Sequence, residues 1–239
     1  MSDSQAYVHN GTAAQSIRHS KEDALDEREF ELLLEGATSL ESPYDREARF
    51  VILVAGRLGL RLGELTHMRA SWVDDRKRMV AVPRHQGCSK GRDGGLCGLC
   101  LQQARQQAAR VDGLAVADVR PAMWRSKTDA AARSVPYGFS PRCEIAIERF
   151  FDAHDQWPYS HSVVRRRLEW AADAAVGLDA DEIYPHALRS TCATHMAGKG
   201  LSGLELQGMM GWVCPSTSEN YVAHSPENLS RALHRAHSR

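Results

Sequence analysis

An uninterrupted apolar stretch, Phe50 to Gly56, lies within a predicted helix, Asp45 to Leu60. A helix that is mostly apolar all round has to be covered on all sides, so this one is expected to run through the centre of the core. The stretch is much shorter than the ~18 to 20 apolar residues that a membrane-spanning helix needs. The sequence therefore predicts a globular fold around one buried helix, and neither a membrane span nor a membrane partner is expected.

Most of the remaining chain has helical periodicity. Apolar residues at helical spacing, together with N-cap residues and closing glycines, predict further helices. These are Asp26 to Gly36, Cys143 to His154, Ser160 to Val176, His186 to Lys199, Ser202 to Gly211, and Pro226 to the C-terminus. The segments Trp72 to Val73 and Met79 to Val82 predict a hairpin, and Arg133 to Pro136 predicts another strand. The expected fold class is α+β, mainly helical, with a small antiparallel β-sheet.

The distribution of polar residues sets the expected domain organisation. Residues 1–25 are polar and lack periodicity, so they are expected to form a flexible N-terminal tail. Residues 26–239 are expected to form one domain. Within that domain, residues 84–100 are rich in glycine and cysteine and are expected to form a loop.

The charged residues are balanced in number but not in position. The chain has 30 basic and 30 acidic side chains. Residues 21–50 carry ten acidic and four basic side chains, whereas residues 51–239 carry 25 basic and 19 acidic ones. Arginine greatly outnumbers lysine, which suits bidentate contacts with phosphate but is equally explained by codon bias. The N-terminus does not resemble a secretory signal, so the six cysteines are expected to be thiols of a cytoplasmic protein.

Three motifs carry side chains suited to a phosphate. Arg61 lies in the segment GLRLGEL, between two glycines at a joint between helices. His186 and Arg189 of the segment HALR are three residues apart at a helix start, so they share one face. Trp212 ends the segment MGW, and Tyr221 ends the segment TSENY nine residues later. Each motif alone is common. Taken alone, the first is better explained by a surface arginine paired with Glu64, and the second by a helix N-terminal histidine with a solvated arginine.

In this order and with these separations, the motifs resemble the signature of the tyrosine recombinase, or phage integrase, family. The resemblance extends from about residue 27 to residue 230 and implies that family's catalytic-domain fold. It also implies that Arg61 and Arg189 clamp the scissile phosphate, with hydrogen bonds added by His186 and Trp212. Tyr221 would then be the nucleophile, with His186 as its base. Attack would leave a 3′-phosphotyrosine and a 5′-hydroxyl, and catalysis would need no cofactor.

The resemblance also assigns supporting residues. Lys127, in Arg125-Ser126-Lys127-Thr128, matches the hairpin lysine that protonates the leaving oxygen. Glu64 matches an acidic position that supports the first arginine. The run Arg165-Arg166-Arg167 is expected to contact the DNA backbone, although a solvated helix face explains it nearly as well.

Several partners follow from the same resemblance. Double-stranded DNA is the expected substrate, bound by a homo-oligomer in the nucleoid. Most family members carry a helical core-binding domain before the catalytic domain, and only about 25 residues precede it here. An accessory DNA-binding protein would then have to supply the missing half of the clamp, unless the clamp is lost or the form is truncated. Two alternatives stay open: strand relaxation like that of a type IB topoisomerase, and a DNA-binding regulator derived from a recombinase.

The cysteine-rich loop suggests a structural zinc site. Cys97 and Cys100 have the CxxC spacing of a zinc knuckle, and Cys88 and His85 are the expected remaining ligands. A loop so rich in glycine has few apolar contacts to hold it. The alternative is three thiols that bind no metal.

Overall fold

The computed structural model describes residues 23–223 and 225–237. The described chain is mainly helical, as predicted. Its helices are α1 (Glu27–Ser39), α2 (Tyr44–Gly56), α3 (Leu62–Leu65), α4 (Gly98–Ala108), α5 (Val116–Val119), α6 (Pro141–Phe151), α7 (His161–Ala174), α8 (Pro185–Lys199), α9 (Gly203–Met210), α10 (Pro215–Ala223) and α11 (Pro226–His237). Its strands are β1 (Val73–Asp74), β2 (Met79–Val82) and β3 (Arg133–Pro136).

Helix α2 lies at the centre of the core. From Phe50 to Gly56 its residues are almost completely buried. It packs against α1, α6, α7 and α8, which cover it on several sides. Phe50 stacks on Phe150 of α6, with ring centroids 3.9 Å apart. The prediction of a fully covered central helix is therefore confirmed.

The sheet is antiparallel, with the strand order β1-β2-β3. Val80 of β2 pairs with Val73 on one side and with Val135 on the other. Beyond β2 the pairing continues, since Gln86 and Trp124 exchange backbone hydrogen bonds of 3.0 Å. In this extension, residues 84–88 pair with residues 123–126, which directly precede Lys127. Residues 89–122 form an insertion at the far end of the pair.

The insertion differs from the predicted loop. Helix α4 begins at Gly98, within the segment expected to be irregular, and continues to Ala108. Cys100 and Ala104 of this helix are fully buried, so the insertion has a packed inner side. Helix α10 was not predicted either, and it holds Tyr221.

The N-terminal boundary also differs in detail. Residues 1–22 of the expected tail lie outside the described residues. Asp23 and Leu25 are bonded to the domain, because Tyr184 donates to the Asp23 carboxylate and the Leu25 N–H donates to Thr191 Oγ1 at 2.9 Å. Among the described helices, none has the length and apolar character required to cross a bilayer.

Candidate active site

Arg61 is held in place by a buried carboxylate. It is the N-cap residue of α3, where its backbone N–H donates to Glu64 Oε2 at 2.9 Å and its Nη1 donates to Glu64 Oε1 at 2.8 Å. Arg133 donates to the same carboxylate from Nη1 and Nη2, at 3.1 and 3.0 Å. Burial raises the pKa of Glu64, but the charges of Arg133, Arg189 and Arg61 outweigh burial and leave its pKa below the usual value. Glu64 is therefore an anion that orients Arg61.

Arg189 is buried on α8. Its guanidinium donates to the carbonyl oxygens of Gly59 and Met210. Burial and, after it, the nearby charge of Arg61 together lower the pKa of Arg189 to about 9, so the side chain is still a cation at neutral pH. The guanidinium carbon lies 5.8 Å from the ring centroid of Trp212.

Tyr221 packs beside these groups. Its ring stacks on Trp212, with centroids 5.3 Å apart and planes 14° from parallel. Its hydroxyl donates to Ser190 Oγ at 3.4 Å, and only 6% of the residue is exposed. Arg61 Nη2 donates to the Gly211 carbonyl at 2.7 Å, next to Trp212. One short turn, residues 210–212, thus joins both arginines to the tyrosine.

His186 and Lys127 are exposed near this cluster. Partial burial of the ring lowers the pKa of His186, and the charges of Arg189, Lys127 and Arg61 lower it further, whereas Asp23 raises it. His186 is consequently mostly neutral at pH 7. The structure therefore brings together the six residues of the expected catalytic set.

A cavity of about 780 Å³ opens beside Arg61. One wall holds Arg125 and Lys127, and another is the start of α7, with His161 and Arg165. Residues of α4 also line the cavity. The charged residues that line the cavity are basic apart from Glu64, and the charge of Glu64 is compensated by two arginines.

The three arginines of α7 do not share one environment. Arg165 lines the cavity and Arg166 is exposed on the same helix. Arg167 is only 5% exposed, because its Nε donates to Glu47 Oε2 at 2.6 Å and its guanidinium packs over the ring of Tyr44. The expected DNA contact of Arg167 is therefore wrong: its charge is used inside the core.

Four metal-binding side chains converge beneath α4. They are His67, Cys88, Cys97 and Cys100, and their ligand atoms all lie within 4.8 Å of one another. His67 Nε2 is 3.5 Å from Cys97 Sγ and 3.3 Å from Cys100 Sγ. Bond lengths of about 2.3 Å for Zn–S and about 2.0 Å for Zn–N in a tetrahedral site require about 3.5 Å between sulfur and nitrogen. The cluster therefore has the donor types and the spacing of a tetrahedral zinc site.

The histidine of this cluster is not the expected one. His85 is exposed, and its Nε2 lies 3.2 Å from the Pro121 carbonyl. His67 lies on the segment after α3, and its Nδ1 donates to the Gly63 carbonyl at 2.8 Å. That bond leaves the Nε2 lone pair directed toward the thiols, as is usual for a metal-ligating histidine.

Sequence reasoning missed three other residues of the site: His67, Arg133 and Ser190. Each acts through a partner that is distant in sequence, so no local spacing marks it. Helix α4, by contrast, had a local signal. Its segment Leu-Gln-Gln-Ala-Arg-Gln-Gln-Ala contains only residues that favour or tolerate a helix.

Comparison with known proteins gives a family match in the C-terminal part of the chain. Residues 142–228 match the phage integrase family model. Tyrosine recombinase XerC of Corynebacterium efficiens is 34% identical over 121 residues, 45% of this chain and 37% of that protein. Tyrosine recombinase XerD of Xanthomonas axonopodis pv. citri is 26% identical over 218 residues, 90% of this chain and 62% of that protein. The chain thus spans less than two thirds of either relative.

Solved structures share the fold. XerA recombinase matches with a TM-score of 0.57 and 19% identity, over 90% of this chain and 64% of that one. The Tn1549 transposon integrase in complex with transposon right end DNA matches with a TM-score of 0.61 and 18% identity, over 90% of this chain and 66% of that one. Residues 142–228 thus match a phage integrase domain, and the chain is similar to tyrosine recombinases in sequence and shares the fold of their solved structures.

Proposed function

We propose that this protein is a site-specific recombinase that cuts and rejoins DNA strands through a 3′-phosphotyrosine on Tyr221. The observation that carries the proposal is the turn at residues 210–212. Its carbonyl oxygens accept hydrogen bonds from Arg189 and Arg61, and its Trp212 ring stacks on Tyr221. Two cations and a hydroxyl are thereby brought together, and Arg61 lies more than a hundred residues before Arg189 and Tyr221 in the chain.

The chemistry follows from the charges. Arg61 and Arg189 would neutralise the non-bridging oxygens of the scissile phosphate as negative charge develops in the transition state, with a hydrogen bond from the Trp212 indole N–H. The Tyr221 oxygen would attack phosphorus and give its proton to the neutral His186. As the P–O5′ bond breaks, Lys127 would give a proton to the leaving oxygen. The phosphodiester energy is kept in the tyrosyl ester, so a 5′-hydroxyl can reverse the step without ATP.

Tyr221 has to change its hydrogen bonding before it attacks. Its hydroxyl donates to Ser190 and is nearly inaccessible in this structure. A tyrosine hydroxyl is protonated at neutral pH, so it needs both a base and nearby positive charge to become a nucleophile. DNA binding is therefore expected to move the ring of Tyr221 toward the two arginines.

A nicked substrate tests the proposed reaction. The chain is incubated with duplexes in which a nick lies a few nucleotides 3′ of randomised cleavage positions, so that the short 5′-hydroxyl fragment diffuses away. A label at the 5′ end of the cut strand should remain on the protein in a denaturing gel, and a label at the 3′ end should be released. Retention of the 3′ label, or no adduct with any DNA in the pool, would contradict the proposal.

Double-stranded DNA is the proposed partner, and oligomers are expected to form on it. The exposed apolar side chains Leu229 and Leu233 of α11 support contact with a second copy. The proposed domain, residues 26–239, would enclose DNA from one side only, so an accessory DNA-binding protein or a further segment would complete the grip. Crosslinking on DNA should give dimers or larger species, whereas monomers alone that still form the adduct would favour topoisomerase-like relaxation.

We also propose that His67, Cys88, Cys97 and Cys100 bind one structural Zn²⁺. The support is the donor set, its spacing, and the Nδ1 hydrogen bond that fixes the imidazole. All four positions are taken by protein ligands, which is typical of structural rather than catalytic zinc. The proposed strand transfer itself needs no metal, because arginine, lysine and tyrosine supply its charges and protons.

A further inference from the structure

Helix α4 presents a polar stripe to the cavity beside Arg61. The cavity-lining residues of this segment are Leu99, Gln102, Gln103, Gln106, Gln107 and Arg110. Their spacing of three and four residues places them on one face of the helix. The opposite face is the buried one, with Cys100 and Ala104. The stripe is thus a defined surface, four of whose six side chains are glutamines.

The helix is held firmly over the cavity. Its N-terminal end carries Cys97 and Cys100 of the proposed zinc cluster, which contact His67. The His67 ring stacks on Trp124, with centroids 5.3 Å apart. Near the other end of the helix, Gln107 Oε1 accepts a hydrogen bond of 2.7 Å from Arg125 Nη2. Helix α4 is therefore tied to the segment that carries Lys127 and, through His67, to the joint that carries Arg61.

Three glutamines of the stripe are available to a ligand. Gln102, Gln103 and Gln106 are exposed, and their side chains have no hydrogen-bond partner within residues 23–223 and 225–237. The neighbouring cations, including Arg110 and Arg165, favour an anionic ligand. A surface that combines positive charge with free amides fits a nucleic acid better than it fits an apolar partner.

We infer that the stripe of α4 reads the bases of the DNA next to the scissile phosphate; this role rests on the proposed function. A glutamine amide can both donate to and accept from one adenine edge in the major groove. Arg110 would contact a phosphate and set the register of the helix. Gln102 to Gln106 extends over about 6 Å along the helix, so it would cover about two to three neighbouring base pairs.

A binding selection tests this role without cleavage. The full chain with Tyr221→Phe is mixed with randomised duplex DNA, and the bound and unbound pools are sequenced. The same selection is run with Gln102, Gln103 and Gln106 also changed to alanine. Base preference at two to three neighbouring positions should fall by about 5- to 100-fold, while the affinity for random DNA should change little.

Two variants on the same segment serve as controls. Arg105→Ala, an exposed position of α4 outside the cavity lining, should keep the base preference. Arg110→Ala should weaken binding to all sequences alike and reduce the slope of log affinity against log salt by about 1. An unchanged preference in the triple glutamine variant, or no preference in the parent protein, would overturn the inference.

The adduct assay separates this inference from the proposed function. If the wild-type chain forms the 5′-labelled adduct but the glutamine substitutions leave the base preference intact, only the role of α4 fails. If no DNA gives an adduct while the glutamines still determine which DNA is bound, the recombinase chemistry fails and the reading role stands. Failure to bind any DNA would overturn both.

Discussion

The Glu64 carboxylate joins Arg61 to Arg133, with Oε1 2.8 Å from Arg61 Nη1 and Oε2 3.0 Å from Arg133 Nη2. Glu64 and Arg133 are almost completely buried, whereas Arg61 is partly exposed to the cavity. The carboxylate thus uses one buried cation to fix a second one that faces the proposed substrate. Its removal should affect both the stability of the fold and the position of Arg61.

Glu64→Gln should lower the free energy of unfolding by about 3 to 5 kcal/mol, because it leaves buried arginine charge uncompensated. Adduct formation should also slow in whatever fraction stays folded, since Arg61 loses its orienting partner. Denaturant unfolding measures the first effect, and the labelled nicked substrate measures the second. Glu148→Gln, on an exposed position of α6, is the matched control and should be nearly neutral in both assays.

The ion pairs of Glu64 should also make the free energy of unfolding depend on pH. The folded pKa of Glu64 lies below the unfolded value of about 4.3, so its stabilisation is complete above about pH 5 and is lost as the pH falls through the folded pKa. Between pH 7 and pH 3, the free energy of unfolding should therefore fall less steeply for Glu64→Gln than for the wild type. Parallel curves for the two proteins would show that Glu64 is not a buried anion.

His67 and His85 provide a direct test of the metal ligands. His67→Ala should reduce bound zinc from about one per chain to near zero and lower the unfolding temperature, because the fourth ligand is lost. His85→Ala should keep about one zinc per chain, since this side chain is exposed and is not part of the ligand cluster. Elemental analysis of both purified proteins gives the measurement. Zinc loss in His85→Ala but not in His67→Ala would reverse the assignment.

Substitutions of Arg165 and Arg167 should have different effects, although the two residues are only two positions apart. Arg165→Ala should keep the stability and reduce the salt slope of DNA binding by about 1, as expected when one phosphate contact is lost. Arg167→Ala should cost about 3 to 5 kcal/mol of unfolding free energy, because Glu47 is left buried and unpaired. The salt slope of whatever fraction stays folded should not change. A salt-slope change in Arg167→Ala alone would contradict the burial of its guanidinium.

Local signals made much of the fold predictable. The apolar run of α2 determined its central place, and Ser202, which accepts from the Glu205 N–H at 3.3 Å, marked the start of α9 as expected. Gly200 and Gly211 end their helices with φ values of 103° and 62°, a conformation that glycine adopts easily. The strands β2 and β3 have the bounds that their sequence pattern predicted.

Contacts between distant segments were not predictable in the same way. Arg167 sits in a run of three arginines, and only the position of Glu47 on another helix decides which of them is buried. His67 joins the thiols through the turn after α3, so the cysteine spacing pointed instead to the nearer His85. The order of the motifs was enough to select the proposed catalytic residues, whereas their buried partners depend on tertiary packing.

Covalent capture by Tyr221 tests the central claim most directly. Wild-type protein, Tyr221→Phe and Tyr137→Phe are each incubated with the 5′-labelled nicked pool and run on a denaturing gel. Tyr137 is the matched control, because it is also buried and donates a hydrogen bond, to Asp75 at 3.0 Å, on another part of the domain. The wild type and Tyr137→Phe should retain label, and Tyr221→Phe should retain none while binding DNA with nearly unchanged affinity. Labelled adduct in Tyr221→Phe would contradict the assignment of the nucleophile.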